Sequence, residues 1–253
     1  MINVTWRPRH ASFELYVLPR FREREFKEVE TRLGPPLPVA GAAYESADRH
    51  KHMDFAARAQ FAPREELSVA LSQFHGTNRE PQLLLRATPQ GGELVPYYSI
   101  MRQTGLELQW TQGSLALKHE SFYRAERGAD TFRTVYGLEY TLFQLGESRR
   151  DLGLILEHNY DSRLRRAATA LQNDLFVGTR LSFNNETSSE LIAGVFRDLE
   201  HHSVIGKIEW QHRLAAALTL TLNVYTFHRI EQPEPLYVNR NDSFIELGVN
   251  YHL

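Results

Sequence analysis

The sequence contains no cysteine among its 253 residues, which excludes a disulfide-stabilised scaffold and a metal site built from thiolates. It also lacks any run of roughly 18 to 20 apolar residues, so a helical membrane protein is excluded. Neither sign of charge dominates, because 29 basic residues stand against 31 acidic ones. The net charge of -2 gives no reason to expect nucleic acid as a partner. Residues 1–6 show no basic segment followed by an apolar one, so no signal peptide is recognisable.

What the sequence does contain is alternation of apolar and polar residues with a period of two, repeated in segments roughly ten residues long. One such segment alternates Tyr136, Leu138, Tyr140 and Leu142 with Gly137, Glu139 and Thr141. The last segment carries an apolar row to the C-terminal residue, formed by Ile245, Leu247, Val249, Tyr251 and Leu253. We count about thirteen segments of this kind, the first being the short stretch 2–7. The pattern predicts an all-β fold of antiparallel strands.

The connections between these segments alternate in length. Short ones are expected near residues 62–65, 112–113, 145–150, 184–188 and 213–217, and the longest at 20–51, 76–98, 161–173 and 228–242. The remaining two, at 125–130 and 199–202, are short but belong by alternation to the second set. Transmembrane β-barrels have short turns on the periplasmic side and longer loops outside. The distribution therefore favours such a barrel over a soluble sandwich.

Charged residues of both signs recur on the polar side of almost every segment. An isolated charge in a dry core would be costly, whereas the hydrated lumen of a large barrel tolerates it. For any single residue, an ordinary solvated strand face is the alternative. The alternation predicts that the lumen is lined by Arg58, Glu107, Lys118, Glu120, Glu139, Glu157, Arg180, Lys207, Glu209 and Glu246.

Motifs for phosphate-binding loops, hydrolase nucleophile elbows and zinc-binding helices are absent. The sequence therefore predicts no catalytic residues, no cofactor and no enzymatic activity. His201 and His202 are adjacent in a short connection and could bind a metal ion. Exposed loop histidines without further ligands are usually only polar, so we expect no metal site.

The long connections are candidates for functional loops, because binding residues concentrate in loops held by a rigid scaffold. Residues 20–51 contain Arg20, Arg22 and Arg24, and residues 76–98 contain Arg79. If one of these loops folds into the barrel, its arginines would narrow the lumen. A loop packed on the surface or disordered is the alternative.

Five segments resemble parts of porin-like outer-membrane proteins of Gram-negative bacteria, a family with no assigned function. They are FELYVLPRFRER, GTNREP, LVPYY, NYDSR and QNDLFVGTRL. The terminal set Val249, Tyr251 and Leu253 resembles the signal read by the barrel-assembly machinery, although such chains usually end in Phe. The resemblance implies a barrel in the cell outer membrane and supplies no catalytic or binding residues.

Together these observations predict one transmembrane β-barrel domain over residues 1–253, incomplete at its N-terminus. Bacterial single-chain barrels have an even number of strands, so about 13 strands imply a full-length barrel of about 14 or more. We expect a channel for passive or facilitated passage of small solutes, with outer-membrane lipids and the assembly machinery as partners. A barrel hydrolase, a purely structural or adhesive barrel and a soluble all-β envelope protein are the alternatives. The sequence gives no indication of an oligomeric state.

Overall fold

The computed structural model describes residues 1–31, 34–89, 91–164, 167 and 169–251, and in them the chain is all-β. The strands are β1 (Ile2–Trp6), β2 (Ala11–Leu18), β3 (Ala43–Tyr44), β4 (Asp54–Arg64), β5 (Leu67–Thr77), β6 (Gln82–Thr88), β7 (Gly91–Tyr98), β8 (Ile100–Gln112), β9 (Leu115–Glu126), β10 (Ala129–Leu142), β11 (Asp151–Asp161), β12 (Asn173–Ser182), β13 (Glu190–Asp198), β14 (Val204–Ala215), β15 (Leu218–His228) and β16 (Phe244–Tyr251). Short 3₁₀ helices cover Arg49–Lys51, Leu145–Glu147 and Pro235–Asn239. Within the described part of the chain, no helix is long and apolar enough to cross a membrane.

Thirteen strands form one large antiparallel sheet, in the order β1-β2-β4-β5-β8-β9-β10-β11-β12-β13-β14-β15-β16. This confirms the all-β prediction and the strand count made from the alternation. β1 and β16 end the order, and no pairing within the described residues joins them. The structure thus shows a large sheet whose closure into a barrel stays a prediction.

The long connections lie on one edge of the sheet, as the sequence predicted. One edge, which we call the short-turn edge, carries the connections 7–10, 65–66, 113–114, 143–150, 183–189 and 216–217. The other edge carries 19–53, 78–99, 127–128, 162–172, 199–203 and 229–243. Because consecutive strands are antiparallel neighbours, successive connections must alternate between the edges. We call the second edge the long-loop edge.

A second, three-stranded sheet lies within the two longest connections, which the sequence analysis had interpreted as loops. In it β7 pairs with β6 in antiparallel fashion and with β3 in parallel, Ala43 opposite Tyr97. Phe21 packs against Tyr98 of β7, and both side chains are buried, with ring centroids 4.7 Å apart. Burial raises the pKa of the Tyr44 and Tyr98 phenols above the ordinary value of tyrosine.

The chain divides into two compact units. The first comprises Met1–Pro63, Ser68–Leu106 and Phe122–Thr131, and it includes the three-stranded sheet. The second comprises Arg64–Leu67, Glu107–Ser121 and Phe132–Leu253, and it includes β11 to β16. The prediction of a single domain stays a prediction.

In the second unit, strand register separates an apolar face from a charged face. Residues directly opposite each other in an antiparallel pair point to the same side of the sheet. One row on the apolar face runs from Leu138 through Leu156 and Val177 to Val195. The large side chains of this face are 39% to 74% exposed and include Leu138, Leu154, Leu156, Val177, Val195, Ile208, Ile245, Leu247, Val249 and Tyr251. A water-soluble monomer rarely exposes so extended an apolar surface.

The opposite side of the same strands is the charged face. Glu157 lies opposite Gly137, Arg180 opposite Gly153, and Glu209 opposite Asn223, which is itself opposite Glu246. The register places six predicted lumen residues on this face, namely Glu139, Glu157, Arg180, Lys207, Glu209 and Glu246. A side chain at Gly137 would lie 3.6 Å from the Lys118 Cβ, which assigns Lys118 to this face and, by alternation along β9, Glu120 as well. The assignment of Glu107 to the charged face rests only on the alternation of residues along its strand.

Strands of the first unit are divided in the same way. In β1, β2 and β4, Val4, Leu15 and Ala57 form an apolar row, whereas Thr5, Glu14 and Arg58 form a polar one. Arg58 thus lies on the polar side of its own strand, as its alternation predicted. Whether any of these residues borders a lumen stays a prediction.

Candidate functional site: the charged face and the long-loop edge

An ion pair between β10 and β12 lies on the charged face, close to the ends of the two strands that lead into the connections 143–150 and 183–189. Arg180 Nη1 lies 2.9 Å from Glu139 Oε1, and the two side chains are 36% and 16% exposed. Gly153 lies between them on β11, and a Cβ there would come within 2.9 Å of Glu139 Oε1. The glycine therefore leaves the space through which Arg180 and Glu139 meet across the intervening strand.

A second group of charges extends from β14 to β16. Lys207 Nζ lies 2.9 Å from Glu209 Oε1, which also accepts a hydrogen bond of 3.3 Å from the Tyr225 hydroxyl. Asn223 Nδ2 donates to Glu246 Oε2 at 3.3 Å. Opposite charges and amides thus compensate one another while their exposure leaves them accessible to water. In the first unit, Arg58 likewise donates to Gln60 at 2.9 Å.

Two phenylalanines whose rings pack against each other interrupt the polar surface of the charged face. Phe176 and Phe196 are opposite each other, with ring centroids 4.5 Å apart. The buried Phe176 ring covers Gly178 and Gly194, where a Cβ would lie 2.5 Å and 2.4 Å from ring carbons. The two glycines therefore provide a flat seat for the ring.

We expect Gly194→Ala to destabilise the sheet because the new Cβ would overlap the Phe176 ring. Overpacking costs about 1–3 kcal/mol, offset by roughly 0.5–1 kcal/mol from the lower chain entropy of alanine. Urea unfolding in detergent measures the difference. Gly137→Ala is the matched control, because its nearest neighbour is at an ordinary 3.6 Å. Equal unfolding free energies for the two variants would contradict the role assigned to the glycine seat.

The four arginines predicted to narrow the lumen have different surroundings. Arg79 binds Asp54 at 2.6 Å and lies over the Phe21 ring, 4.7 Å from its centroid. Arg22 forms an exposed ion pair of 2.8 Å with Glu25. The backbone N–H of Arg24 donates to the Tyr98 hydroxyl at 2.9 Å, and Arg20 is exposed. Arg79 thus has a structural contact, and a constriction role for any of the four stays a prediction.

Asp54 is the centre of a buried polar cluster at the long-loop edge that the sequence analysis did not identify. Its carboxylate has no exposed surface and accepts hydrogen bonds from Arg79, from His52 Nδ1 at 2.8 Å and from the Thr77 backbone N–H at 2.9 Å. A Cβ at Gly76 would lie 2.3 Å from Asp54 Cγ, so this glycine makes room for the carboxylate.

Two other acids at the long-loop edge also form polar contacts with side chains from neighbouring segments. Asp161, which has no exposed surface, binds Arg133 at 2.7 Å and Arg163 at 2.8 Å. The Glu126 carboxylate accepts from Asn78 at 2.8 Å and from Ser99 at 2.5 Å. These contacts connect the long loops to the strand ends. They could not be predicted from the alternation of apolar and polar residues along a single strand.

One serine–histidine contact bears on the hydrolase alternative. Ser189 Oγ lies 2.6 Å from His212 Nδ1, at the short-turn edge. Ser189 also contacts the Thr187 hydroxyl at 2.9 Å, and its backbone N–H donates to Asn185 at 3.1 Å. Within the described residues no carboxylate hydrogen-bonds this histidine, so a Ser–His–acid geometry is not formed there.

The terminal strand β16 is the last strand in the order of the large sheet and pairs with β15. Val249 is opposite Leu220 and Tyr251 is opposite Leu218, and both terminal-strand residues expose their side chains on the apolar face. Leu253, the last residue of the predicted barrel-closing signal, lies outside the described residues. The structure therefore shows the apolar row of that signal up to Tyr251.

Comparisons with family models, with curated proteins and with solved structures gave no match to this chain.

Proposed function

We propose that this protein is an outer-membrane β-barrel that allows small solutes to pass through a hydrated lumen. The observation that carries the proposal is the separation of the two faces in the second unit. Exposed aliphatic and aromatic side chains occupy one face, and ion-paired or amide-paired charges occupy the other. This is the distribution that a membrane barrel needs, with apolar residues towards lipid and polar residues towards the lumen.

The remaining parts of the proposal rest on the resemblance and on the loop distribution. We infer that lipids of the outer membrane cover the apolar face and that the barrel-assembly machinery recognises the terminal strand. Solvated charges of both signs on the charged face favour small polar solutes as cargo. The buried ion pairs at the long-loop edge would anchor the outer loops.

Conductance of the purified full-length protein in planar lipid bilayers tests the proposal. We expect discrete channel openings in wild type. Under a salt gradient, Glu246→Lys should shift the reversal potential in the direction of higher anion permeability, because Glu246 lies exposed on the charged face. Glu186→Lys introduces the same charge change in an exposed turn and should leave selectivity unchanged.

A bilayer that stays sealed under all conditions would refute passage and favour the purely structural or adhesive alternative. If Glu246→Lys and Glu186→Lys changed the ion selectivity equally, the charged face would not be the surface that lines the conducting path. Release of fatty acid or another hydrolysis product from membrane lipids would instead favour the hydrolase alternative.

A further inference from the structure

Three acids, a glutamine and a histidine come together at the long-loop edge of the second unit, from segments far apart in the sequence. Asp198 ends β13, and His201 lies in the connection that follows it. Gln172 and Asp174 flank the start of β12. Glu234 comes from the connection 229–243, immediately before its 3₁₀ helix. We call these five residues the His201 cluster.

The cluster has the spacing of a metal site. Asp198, His201 and Glu234 each offer one ligand atom, and these atoms all lie within 4.8 Å of one another. Exposure is 2% for Gln172 and Asp174, 3% for Asp198, 6% for Glu234 and 9% for the His201 side chain. The expectation that His201 is an exposed loop histidine was therefore wrong, whereas its neighbour His202 is exposed.

Hydrogen bonds hold the ligand atoms in place. Asp198 Oδ1 accepts from the backbone N–H groups of Glu200 at 2.6 Å and His201 at 2.8 Å. Asp198 Oδ2 accepts from Gln172 Nε2 at 2.5 Å and lies 3.2 Å from His201 Nδ1. Glu234 Oε1 accepts from the backbone N–H of Glu231 at 3.1 Å. Such supporting contacts are typical of residues that orient metal ligands.

Two side-chain atoms in this cluster lack hydrogen-bond partners. His201 Nε2 and Gln172 Oε1 are both fully buried, and neither has a partner among the described residues. A buried polar atom without a partner costs free energy, so such atoms need an explanation. Coordination of a cation would use both a nitrogen lone pair and an amide oxygen.

The acidic charge of the cluster also favours a bound cation. Asp174 lies directly opposite Asp198 in the β12–β13 ladder, a position where like charges destabilise a sheet. Within the part of the chain that the structure describes, neither Asp174 nor Glu234 forms an ion pair with lysine or arginine. This contrasts with Asp54 and Asp161, whose carboxylates are buried against arginine.

We propose that the His201 cluster binds a divalent transition-metal ion, with Asp198, His201 and Glu234 as ligands. Imidazole combined with carboxylates suits Zn²⁺ and related ions, whereas Mg²⁺ and Ca²⁺ prefer oxygen ligands alone. Gln172 Oε1 and the Asp174 carboxylate are available as additional oxygen ligands or as supporting acceptors. The bound ion would join the connections 199–203 and 229–243 to the start of β12.

Zinc binding to the untagged full-length protein, folded in detergent, tests this proposal. Equilibrium dialysis against ZnCl₂, followed by elemental analysis, should give a single high-affinity ion per chain. Both variants should lose this ion, because His201→Ala removes the imidazole and Glu234→Gln replaces the anionic carboxylate by a neutral amide, which is a weaker ligand. The matched control is His202→Asn, which changes the exposed neighbour and should retain it.

A second measurement decides the result if His201→Ala fails to fold. Zinc should slow proteolysis within residues 229–243 of wild type and have no such effect on Glu234→Gln, which preserves the size of the side chain. No stoichiometric zinc on folded wild type would overturn the proposal. So would equal zinc binding by Glu234→Gln and wild type, or loss of the ion from His202→Asn. Failure of the conductance test would leave these outcomes unaffected, because the cluster is independent of solute passage.

Discussion

Replacement of Val224 by arginine is expected to reduce the stability of the protein in lipid vesicles by about 2–4 kcal/mol, the cost of arginine near the bilayer midplane if the apolar face contacts lipid as we propose. Val224 lies in the middle of β15, opposite Ile208 and Ile245 on the apolar face. The guanidinium would have to leave water or deform the bilayer, and neither neighbour can compensate its charge. Urea titration of the protein folded into lipid vesicles measures the change.

The adjacent residue provides the matched control. Asn223 has the same strand and depth but lies on the charged face, opposite Glu209 and Glu246. Arginine at this position gains two carboxylates as neighbours, so Asn223→Arg should change the free energy of unfolding by less than about 1 kcal/mol. If the two variants were equally destabilised, the apolar face would not be the lipid-facing one.

Asp54→Ala is expected to cost about 3–5 kcal/mol, which is typical of removing one partner from a buried ion pair. The substitution leaves the Arg79 guanidinium without its carboxylate and the buried Thr77 N–H without its acceptor. Arg79 is 40% exposed, so water will compensate part of its charge and we expect the lower end of this range. Thermal or urea unfolding in detergent measures the loss.

Glu25→Ala removes the acid of another arginine pair in the first unit and is the control for Asp54→Ala. Its side chain and that of Arg22 are 83% and 89% exposed, so solvent already screens the interaction. We expect no measurable change in stability. A small effect of Asp54→Ala, no greater than that of Glu25→Ala, would show that the Asp54 cluster does not anchor the loops.

The strands of the large sheet could be predicted from sequence because their signal is local. In β11, for example, alternation along the strand is enough to place Leu154 and Leu156 on one face of the sheet and Gly153 and Ile155 on the other. The three-stranded sheet could not be found in this way. Leu83, Leu84 and Leu85 are consecutive and show no alternation, and the parallel pairing of Tyr44 with Tyr98 joins residues far apart in the chain.

The clusters at the long-loop edge were missed for a related reason. Asp198 and His201 are close in sequence, but what buries them comes from Gln172 and Glu234 in two other connections. A histidine next to a short turn looks exposed when only its own segment is considered. Burial of a polar residue is decided by tertiary neighbours, which a single strand pattern does not contain.

The order of strands in the large sheet has a consequence for how the chain folds. Apart from the insertions β3 and β6–β7, every strand pairs with the one that precedes or follows it in sequence. The sheet can therefore form by successive addition of strands, each pairing with the strand that precedes it in the large sheet. Lengthening a connection at the long-loop edge raises the entropic cost of closing it by only about 0.6 kcal/mol per doubling of length. This small increment allows the connection 78–99 to contain a β-hairpin of its own while β5 still pairs with β8.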